Sequence, residues 1–438
     1  MRPPRLLLCD GRVPTDHTPS PAALPTPPHL ADPELTYVTE PTWKAWQERV
    51  QDGFHETINP DWAALGKSLF PTQGCFGMRV DERWVATASS TPRLLSVPGG
   101  TDVHCSAVSD VTVSPAYRRR GMVRQMMTHQ LASLAERGVP LAGLWASESS
   151  IYGRFGYGIA TWQADVSGST HRTASLPEVD FAGSSSEVDR ETWLRAAEPV
   201  WAQVRAEQPG MFDRAGEWWQ VATWDPEKDR NGFTARRYLV HFDTGGEVDG
   251  VGSFEVKPDW STGDPEGTVR IGPIFATSSS AYAGLWRYQL DVDLATTFSS
   301  SGVAVDEPLL HLLSAPRALN THPVDGLYLR ILDVVAALEA RHYFADIDIV
   351  LHVQDPLLDT VAGRYRVQAH MGRAVVGRTG DPADLTLDIR ELASVYLGGT
   401  TLAELHRAGR VIEHSSGIAR TASATFGWHR APHCPDHF

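Results

Sequence analysis

The stretch VTVSPAYRRRGMVRQMM, residues 111–127, decides the fold class of this chain. Residues 111–113 are typical of the end of a strand, and Pro115 stops the strand because proline lacks a backbone donor. Arginines fill positions 118–120, and Gly121 then leads into a helix with methionines at helical spacing. Backbone N–H groups converge at such a helix N-terminus, where the helix dipole adds partial positive charge. An arginine run alone would indicate a solvated basic loop, but in this order the residues predict a pyrophosphate site.

The elements around this stretch predict a sheet that carries helices. Upstream, TYVTEPTWKAWQERVQDGF indicates a strand and a helix, and CFGMRVDERWVATASSTPRLLSVPGG indicates two strands. Downstream, VPLAGLWAS is typical of a buried strand, SIYGRFGYG follows at residues 150–158, and ATWQADVSG alternates as a further strand. We therefore expect a first α+β unit built around the arginine loop.

A middle segment repeats this order of elements without the arginines. A tryptophan-rich helical region leads to the strands RRYLVHF and GVGSFEVK, and then to GTVRIGPIFATSSSAYAGLWRYQLDVDL. The sequence FATSSSAYAG stands where the arginine loop would be. This segment has lost the pyrophosphate site, so we expect one cofactor per chain.

A third segment opens with the strand DGLYLRI and the helix DVVAALEARHY, for which Asp333 is the predicted N-cap. The strands DIDIVLHVQD, GRYRVQAHM and GRAVVGRT follow, and the helical stretches DIRELASVYLG and TLAELHRAG come after them. This order favours a β-rich sheet with helices on one face.

Length and charge limit the possible functions. The chain has 438 residues, more than the ~250–300 residues that a single core supports, so we expect several domains. Its net charge of -14 disfavours nucleic acid and anionic membrane surfaces as partners. The same charge suits a cationic ligand, although acidity also simply aids solubility.

The cysteines and the hydropathy indicate a cytoplasmic protein. The four cysteines are scattered and form no C-x-x-C pair: Cys9, Cys75, Cys105 and Cys434. This arrangement is typical of a reducing compartment. No apolar run approaches the ~18–20 residues that a membrane span needs.

The pattern V-x-V-x-P-x-x-R-R-R-G before an amphipathic helix resembles the acetyl-CoA pyrophosphate loop of the GNAT acetyltransferases. Over residues 35–438 the chain resembles, more specifically, the enhanced intracellular survival (Eis) family of N-acetyltransferases. The stretches ASESSIYGRFGYG, GLWRYQLDVDL and DGLYLRILDVVAALEAR, together with a final phenylalanine, carry this resemblance. It implies an α+β protein with two fused GNAT domains, a sterol carrier protein-like domain and assembly as a homo-hexamer.

The domain boundaries that we expect follow from this resemblance and from shifts in composition. Residues 1–34 form a disordered proline-rich segment, and residues 35–175 form the catalytic GNAT domain with the acetyl-CoA site. Residues 176–318 form a degenerate second GNAT domain. Residues 319–438 form the sterol carrier protein-like domain, which ends in a functional carboxylate.

The resemblance also implies which residues bind acetyl-CoA. They lie at the end of one strand, in the arginine loop and just after the next strand. They are Val111, Thr112, Val113, Arg118, Arg119, Arg120, Gly121, Met122, Ser147 and Glu148.

Acetyl transfer to an amine needs a proton donor for the departing thiolate. A phenol with a pKa near ~10 can donate to a thiolate whose thiol has a pKa near ~8.5. The resemblance assigns this role to Tyr152, whereas Tyr157 is expected to pack. The alternative is that the glycines only form a turn and neither tyrosine reacts. A nucleotide loop of the pattern G-x-x-G-x-G is rejected, because a strand follows instead of a helix.

The second catalytic element that the resemblance implies is the terminal carboxylate of Phe438, as a base or an ammonium anchor. A terminal carboxyl has an intrinsic pKa of ~3.3–3.7, so it is a weak base unless burial raises that value. Chain ends are also usually mobile and exposed. His437 stands where some family members carry an acidic residue.

The tail WHRAPHCPDHF has an alternative interpretation as a zinc site. Its candidate ligands are His429, His433, Cys434 and His437. Two prolines and the lack of a partner cluster argue against zinc, and we expect no metal.

For the substrate, the resemblance places Phe54 and Glu56 in the pocket, and Trp145 on a strand beside it. A carboxylate and an aromatic face suit a protonated polyamine. The alternative for Glu56 is a surface acid at a helix end. We predict an acetyl-CoA-dependent N-acetyltransferase for polycationic substrates such as aminoglycosides, with lysine side chains as further candidates. The rival hypothesis is a non-catalytic module with degenerate GNAT domains that binds lipid or protein.

Overall fold

The computed structural model describes residues 32–57, 59–173 and 181–438. The proline-rich segment predicted to be disordered lies, up to residue 31, outside the described residues. Within the described part of the chain, no helix is long and apolar enough to cross a membrane.

The first part of the chain forms strands that flank the arginine loop, together with the helices that cover them. The strands are β1 (Glu34–Tyr37), β2 (Cys75–Val80), β3 (Arg83–Ser96), β4 (Asp102–Val113), β5 (Leu141–Trp145), β6 (Gly158–Ile159) and β7 (Trp162–Ser169). The helices are α1 (Trp43–Phe54), α2 (Pro60–Leu69), α3 (Met122–Glu136), α4 (Ser149–Tyr152) and α5 (Thr170–Thr173). Short 3₁₀ turns are Glu40–Thr42, Thr72–Gly74, Pro115–Tyr117 and Gly153–Phe155. Helix α1 buries Trp43, Trp46 and Val50, because their spacing places them on one face.

The middle part of the chain contains a second set of strands and helices. The strands are β8 (Ser184–Val188), β9 (Arg237–Phe242), β10 (Val248–Lys257), β11 (Gly267–Ile271), β12 (Phe275–Ala276), β13 (Ala295–Ala304) and β14 (Leu319–Asp325). The helices are α6 (Arg190–Glu207), α7 (Trp218–Ala222), α8 (Ser279–Leu290) and α9 (Leu309–Leu312), with 3₁₀ turns Glu227–Asp229 and Pro316–Ala318.

The last part of the chain forms a smaller sheet with helices. The strands are β15 (Leu327–Ile331), β16 (Ile347–Gln354), β17 (Gly363–His370), β18 (Arg373–Arg378), β19 (Leu385–Asp388) and β20 (Val411–Glu413). The helices are α10 (Val334–Ala340), α11 (Ile389–Val395), α12 (Leu402–Arg407) and α13 (Ile418–Phe426). The predicted N-cap Asp333 is confirmed, because its side chain accepts from the Ala336 amide. The strand order in this sheet is β18-β17-β16-β19-β20.

Each of the two larger sheets contains a strand that chain order would place elsewhere. The first sheet has the order β1-β2-β3-β4-β5-β15-β6, and the second has the order β14-β7-β13-β11-β10-β9-β8. Chain order had placed β7 with the first unit and β15 with the third. Instead, β15 pairs antiparallel with both β5 and β6, and β7 pairs with β13 and β14. This exchange satisfies the backbone groups of strands that would otherwise be sheet edges.

Strands β4 and β5 separate where the predicted cofactor site begins. Their parallel pairing runs from Cys105 opposite Leu141 to Ala107 opposite Gly143. Beyond these pairs β4 continues to Val113 on its other neighbour, β3, so its edge toward β5 is unpaired.

The segment SIYGRFGYG is also a packing site for the last part of the chain. A Cβ at Gly158 would lie 1.9 Å from the carbonyl oxygen of Arg390, so α11 can approach β6 only over a glycine. Nearby, Arg330 on β15 forms a fully buried ion pair with Asp355. The first sheet and the last part of the chain therefore share one core.

Candidate active site

The arginine loop presents unshared positive charge beside a helix N-terminus. Gly121 adopts the left-handed region with φ 80°, which lets the loop turn directly into α3, and no side chain caps the first turn of that helix. The side chains of Arg118, Arg119 and Arg120 are exposed. Within residues 32–57, 59–173 and 181–438, Arg118 and Arg119 form no ion pair, and Arg120 has only Asp32 at 4.0 Å. These features fit a pyrophosphate.

The other predicted cofactor residues flank the gap between β4 and β5. Residues 111–113 end β4, and the Thr112 hydroxyl is turned toward that of Thr87 at 2.7 Å. Met122 is buried at the start of α3, so only its backbone is available to a ligand. Ser147 and Glu148 are exposed just beyond β5. The fold therefore brings all the predicted acetyl-CoA residues to one end of the split sheet.

Tyr152 and Tyr157 lie edge to face, with ring centroids 6.0 Å apart. Burial, with a smaller contribution from Glu148, raises the pKa of Tyr152 to about 12. Its hydroxyl makes no hydrogen bond to another described residue. Tyr157 is 1% exposed, its hydroxyl has no partner among the described residues, and burial raises its pKa further. Both phenols are protonated at neutral pH, and Tyr152 is the less enclosed of the two.

A cavity of about 210 Å³ brings together the predicted substrate residues and the chain end. We call it the tail cavity. Its walls come from α1, α2, β4 and the C-terminus: Trp43, Trp46, Gln47, Val50, Gln51, Phe54, Glu56, Trp62, Gly66, Phe70, Ser109, Asp110 and Phe438. Phe438 therefore meets Phe54 and Glu56, although it is far from both in sequence.

A wider depression adjoins the tail cavity and opens to solvent. It has a volume of about 620 Å³ and shares Gln51, Glu56 and Trp62 with the tail cavity. We call it the acidic groove, because Glu56 and Asp229 outnumber the single cation Lys228 among the residues that line it. It offers a route for a cationic ligand into the tail cavity.

Several contacts hold the last residues of the chain in place. The Arg214 guanidinium donates to Oδ1 of Asp436 at 2.8 Å, and Nε1 of Trp145 donates to the Asp436 carbonyl at 2.7 Å. The Phe438 ring packs edge to face on Phe212, with centroids 5.2 Å apart. The mobile, exposed end that is usual for a chain terminus is therefore absent from the described C-terminal segment.

Trp145 lies at the end of β5, where its side chain contacts the last residues of the chain. It does not line the tail cavity; its indole stacks on the imidazole of His437. Trp145 therefore borders the tail cavity only through the tail, and its role in substrate binding stays a prediction.

Of the zinc candidates in the tail, Cys434 makes its side-chain contact within the tail itself. The Cys434 thiol donates to the Asp436 carbonyl at 3.4 Å, and burial raises its pKa. His433 is half-buried, and burial lowers its pKa to about 4. Among the residues that the structure describes, no three His, Cys, Asp or Glu side chains gather as a metal site.

Asp110 is a residue of the tail cavity that sequence reasoning missed. Its Oδ2 accepts a hydrogen bond from the Ser89 hydroxyl at 2.6 Å. Burial raises the pKa of Asp110 to about 6; the Ser89 hydrogen bond opposes the shift and the charge of Glu56 adds to it. The available signal was an aspartate inside the apolar alternation of SDVTV.

Comparison with known proteins decides the family. The chain is 35% identical over 408 residues to an uncharacterized N-acetyltransferase of Streptomyces avermitilis, covering 92% of this chain and 99% of that protein. It is 31% identical over 405 residues to the N-acetyltransferase Eis of Mycobacterium tuberculosis, covering 89% and 95%. The chain belongs to the Eis-like family of N-acetyltransferases. The predicted family and the enzyme class are thereby confirmed.

Domain models and solved structures agree with this Eis-like assignment. Acetyltransferase (GNAT) domain models match residues 34–160 and 210–331, and a sterol carrier protein domain model matches residues 334–435. The crystal structure of Eis1 from Mycobacterium abscessus superposes with a TM-score of 0.80 at 29% identity, covering 92% of this chain and all of that one. The predicted α+β class with two GNAT domains and a sterol carrier protein-like domain is confirmed. The GNAT domains imply acetyl-CoA as the acyl donor.

Proposed function

We propose that this Eis-like enzyme acetylates the amines of polycationic small molecules such as aminoglycosides, with lysine side chains as a further class of acceptor. The observation that carries the proposal is the tail cavity, where Phe54, Glu56 and Phe438 meet beside β4. A carboxylate at the rim and aromatic walls suit a protonated amine. The net charge of -14 favours the approach of such a cation.

Acetyl-CoA binds along the split between β4 and β5 in this proposal. The unpaired edge of β4 at residues 111–113 offers backbone groups to the pantetheine arm. The uncapped N-terminus of α3 and the side chains of Arg118 and Arg119 hold the pyrophosphate, since both supply donors to an anion. Ser147 and Glu148 close the opposite side of the split.

The second GNAT domain carries no pyrophosphate site in this proposal. Its helix α8 begins after Ser278, whose hydroxyl accepts from the Ala281 amide at 3.0 Å. In α8 this hydrogen bond satisfies one of the N–H donors that remain free in the first turn of α3. In addition, FATSSSAYAG contains no arginine. We infer one acetyl-CoA per chain, bound by the catalytic GNAT domain at residues 35–175. The second GNAT domain at residues 176–318 and the sterol carrier protein-like domain at residues 319–438 bind none in this proposal.

Tyr152 serves as the general acid in the proposed reaction. Its pKa of about 12 keeps the phenol protonated at neutral pH, as a proton donor must be. Phe438 serves through its terminal carboxylate as a base or an ammonium anchor, and the contacts of Asp436 and Phe212 hold it at the tail cavity. A homo-hexamer remains a prediction from the family resemblance, and a cytoplasmic location remains a prediction from the cysteine pattern and the hydropathy.

The test is release of the coenzyme A thiol when the protein is mixed with acetyl-CoA and tobramycin or neomycin, with acetylated products counted by mass spectrometry. We expect thiol release and at least one added acetyl group. Bound acetyl-CoA without thiol release across a broad amine panel would contradict catalysis. Co-purified lipid without acetyl-CoA affinity would instead support the non-catalytic hypothesis.

A further inference from the structure

A β-bulge places the carboxylate of Asp110 in the wall of the tail cavity. On β3 and β4, Thr87 faces Thr112 but Ser89 faces Ser109, so the register shifts between these pairs. Asp110 lies in this shift with φ 56°, a left-handed conformation that is uncommon for a residue with a side chain. Such bulges re-aim side chains and occur next to active sites. Asp110 directly precedes the strand end that we assign to acetyl-CoA.

The Asp110 carboxylate accepts one side-chain hydrogen bond, and its other oxygen is available to a ligand. Ser89, itself fully buried, holds Oδ2, whereas Oδ1 makes no hydrogen bond to another described residue. The titratable groups that interact with Asp110 are Glu56, just after α1, and Cys75 on β2. Phe438 lines the same cavity. The other polar groups that α1 contributes to the cavity wall are the neutral amides of Gln47 and Gln51.

We propose that Asp110 is the proton acceptor for the incoming ammonium group and that the carboxylate of Phe438 anchors it. This inference rests on the proposed function, because it names the base for that same reaction. The proposal is based on the position of the Asp110 carboxylate. Ser89 holds one of its oxygens, the other oxygen makes no hydrogen bond to a described residue, and the residue lies on the strand that leads to the thioester site. No cation among the described residues neutralises Asp110, so a substrate ammonium is its natural partner.

The proton-transfer properties of Asp110 suit a base better than those of the chain end. Asp110 has a pKa of about 6, whereas a terminal carboxyl has an intrinsic pKa of ~3.3–3.7. A base is most effective when its pKa lies near the working pH. Asp110 is therefore charged at neutral pH and still holds a transferred proton more strongly than an ordinary carboxylate.

The proposed step transfers one acetyl group and releases one proton. The ammonium group gives one proton to Asp110, and its lone pair forms the C–N bond with the thioester carbonyl carbon. The C–S bond breaks, and the departing sulfur takes the proton of Tyr152. The nitrogen loses its second proton to the phenolate, and the proton on Asp110 leaves through the acidic groove to water. The net products are the amide, the free thiol and one proton.

The test is the pH dependence of kcat/KM for the wild type, Asp110→Asn and Asp110→Glu, with the acceptor used in the thiol-release assay. For the wild type, kcat/KM should rise with pH through about 6 and then level off, because the base works unprotonated. Asp110→Asn should lower kcat by ~100-fold or more while acetyl-CoA still binds. It should also abolish the rise of kcat/KM with pH near 6, which we call the acid limb. Asp110→Glu should keep the limb.

Two further variants test whether the limb belongs to Asp110. Ser89→Ala removes a hydrogen bond that lowers the pKa, so the limb should move to higher pH. Glu56→Gln removes a charge that raises the pKa, so the limb should move to lower pH. Asp102→Asn is the matched control, since Asp102 begins the same strand and pairs with Arg205 outside the cavity; its profile should match the wild type.

Two results would overturn the inference and remain distinguishable. If the wild type acetylates amines and Asp110→Asn keeps both the rate and the acid limb, Asp110 is not the base although the proposed function stands. If the wild type acetylates no amine, the proposed function fails and the inference fails with it.

Discussion

The indole of Trp145 stacks on the imidazole of His437, with ring centroids 3.9 Å apart and an interplanar angle of 28°. The first residue ends the strand beside the cofactor split, and the second is the penultimate residue of the chain. The same indole donates to the carbonyl of Asp436. The end of β5 and the end of the chain are thus joined directly, so a change at Trp145 should act on the tail.

Replacing Trp145 with alanine should release the tail and lower kcat/KM while acetyl-CoA binding persists. A misplacement of about 1 Å can cost on the order of 10²-fold in rate, so a loss of ~10–10²-fold is expected. Steady-state kinetics and acetyl-CoA titration measure the two effects. Trp260→Ala is the control, since Trp260 is 57% exposed on a loop, and it should leave both unchanged. Equal losses in the two variants would contradict the prediction.

Extending the chain by a few residues beyond Phe438 should abolish most activity. The extension replaces the terminal carboxylate with a peptide bond and adds residues where the tail cavity has about 210 Å³ of space. Acetyl-CoA affinity and the melting temperature should stay at wild-type values, as calorimetry and thermal unfolding can show. The same residues added at the N-terminus are the control. Full activity of the C-terminally extended protein would refute a role for the chain end.

Tyr152→Phe and Tyr157→Phe should have different effects. Loss of a general acid costs typically 10²–10⁴-fold, so Tyr152→Phe should lose turnover while it retains acetyl-CoA. Tyr157→Phe removes a buried hydroxyl that has no partner among the described residues. That change should leave turnover intact and keep or raise the free energy of unfolding by about 1 kcal/mol. Equal catalytic losses would show that the two tyrosines are not distinct in function.

Asp355→Ala should destabilise the junction between the first sheet and the last part of the chain. It leaves Arg330 buried without its carboxylate, and it also removes the acceptor for the amides of Leu357 and Leu358. Losing one partner of a buried pair costs about 3–5 kcal/mol. Denaturant unfolding, followed by hydrogen exchange at β15, measures the effect.

The control for this pair lies on the surface of the same domain. Asp348 pairs with Arg366, and both side chains are 46% exposed. Asp348→Ala should therefore cost at most about 1 kcal/mol, since surface ion pairs contribute little. A cost for Asp348→Ala equal to that for Asp355→Ala would contradict the assignment of the buried pair as the junction.

The amino-acid sequence was sufficient for features that depend on neighbouring residues. Helical spacing predicted α3, the proline and glycine placed the turn before it, and Asp333 was predicted as an N-cap. Such signals are local, because capping and periodicity act within a few residues. The arginine loop predicted the family together with ASESSIYGRFGYG, GLWRYQLDVDL, DGLYLRILDVVAALEAR and the final phenylalanine.

Only the tertiary structure decided which distant residues meet. The pairing of β15 with β5 joins residues more than 180 positions apart, as with Leu327 and Trp145, and no local pattern encodes such a partner. The same holds for the tail cavity, where α1, the bulge at Asp110 and the chain end converge. Chain order alone therefore assigned β7 and β15 to the wrong sheets and left Asp110 unnoticed. The physical reason is that strand pairing and burial depend on the packing of the whole chain, whereas sequence patterns report on local backbone geometry.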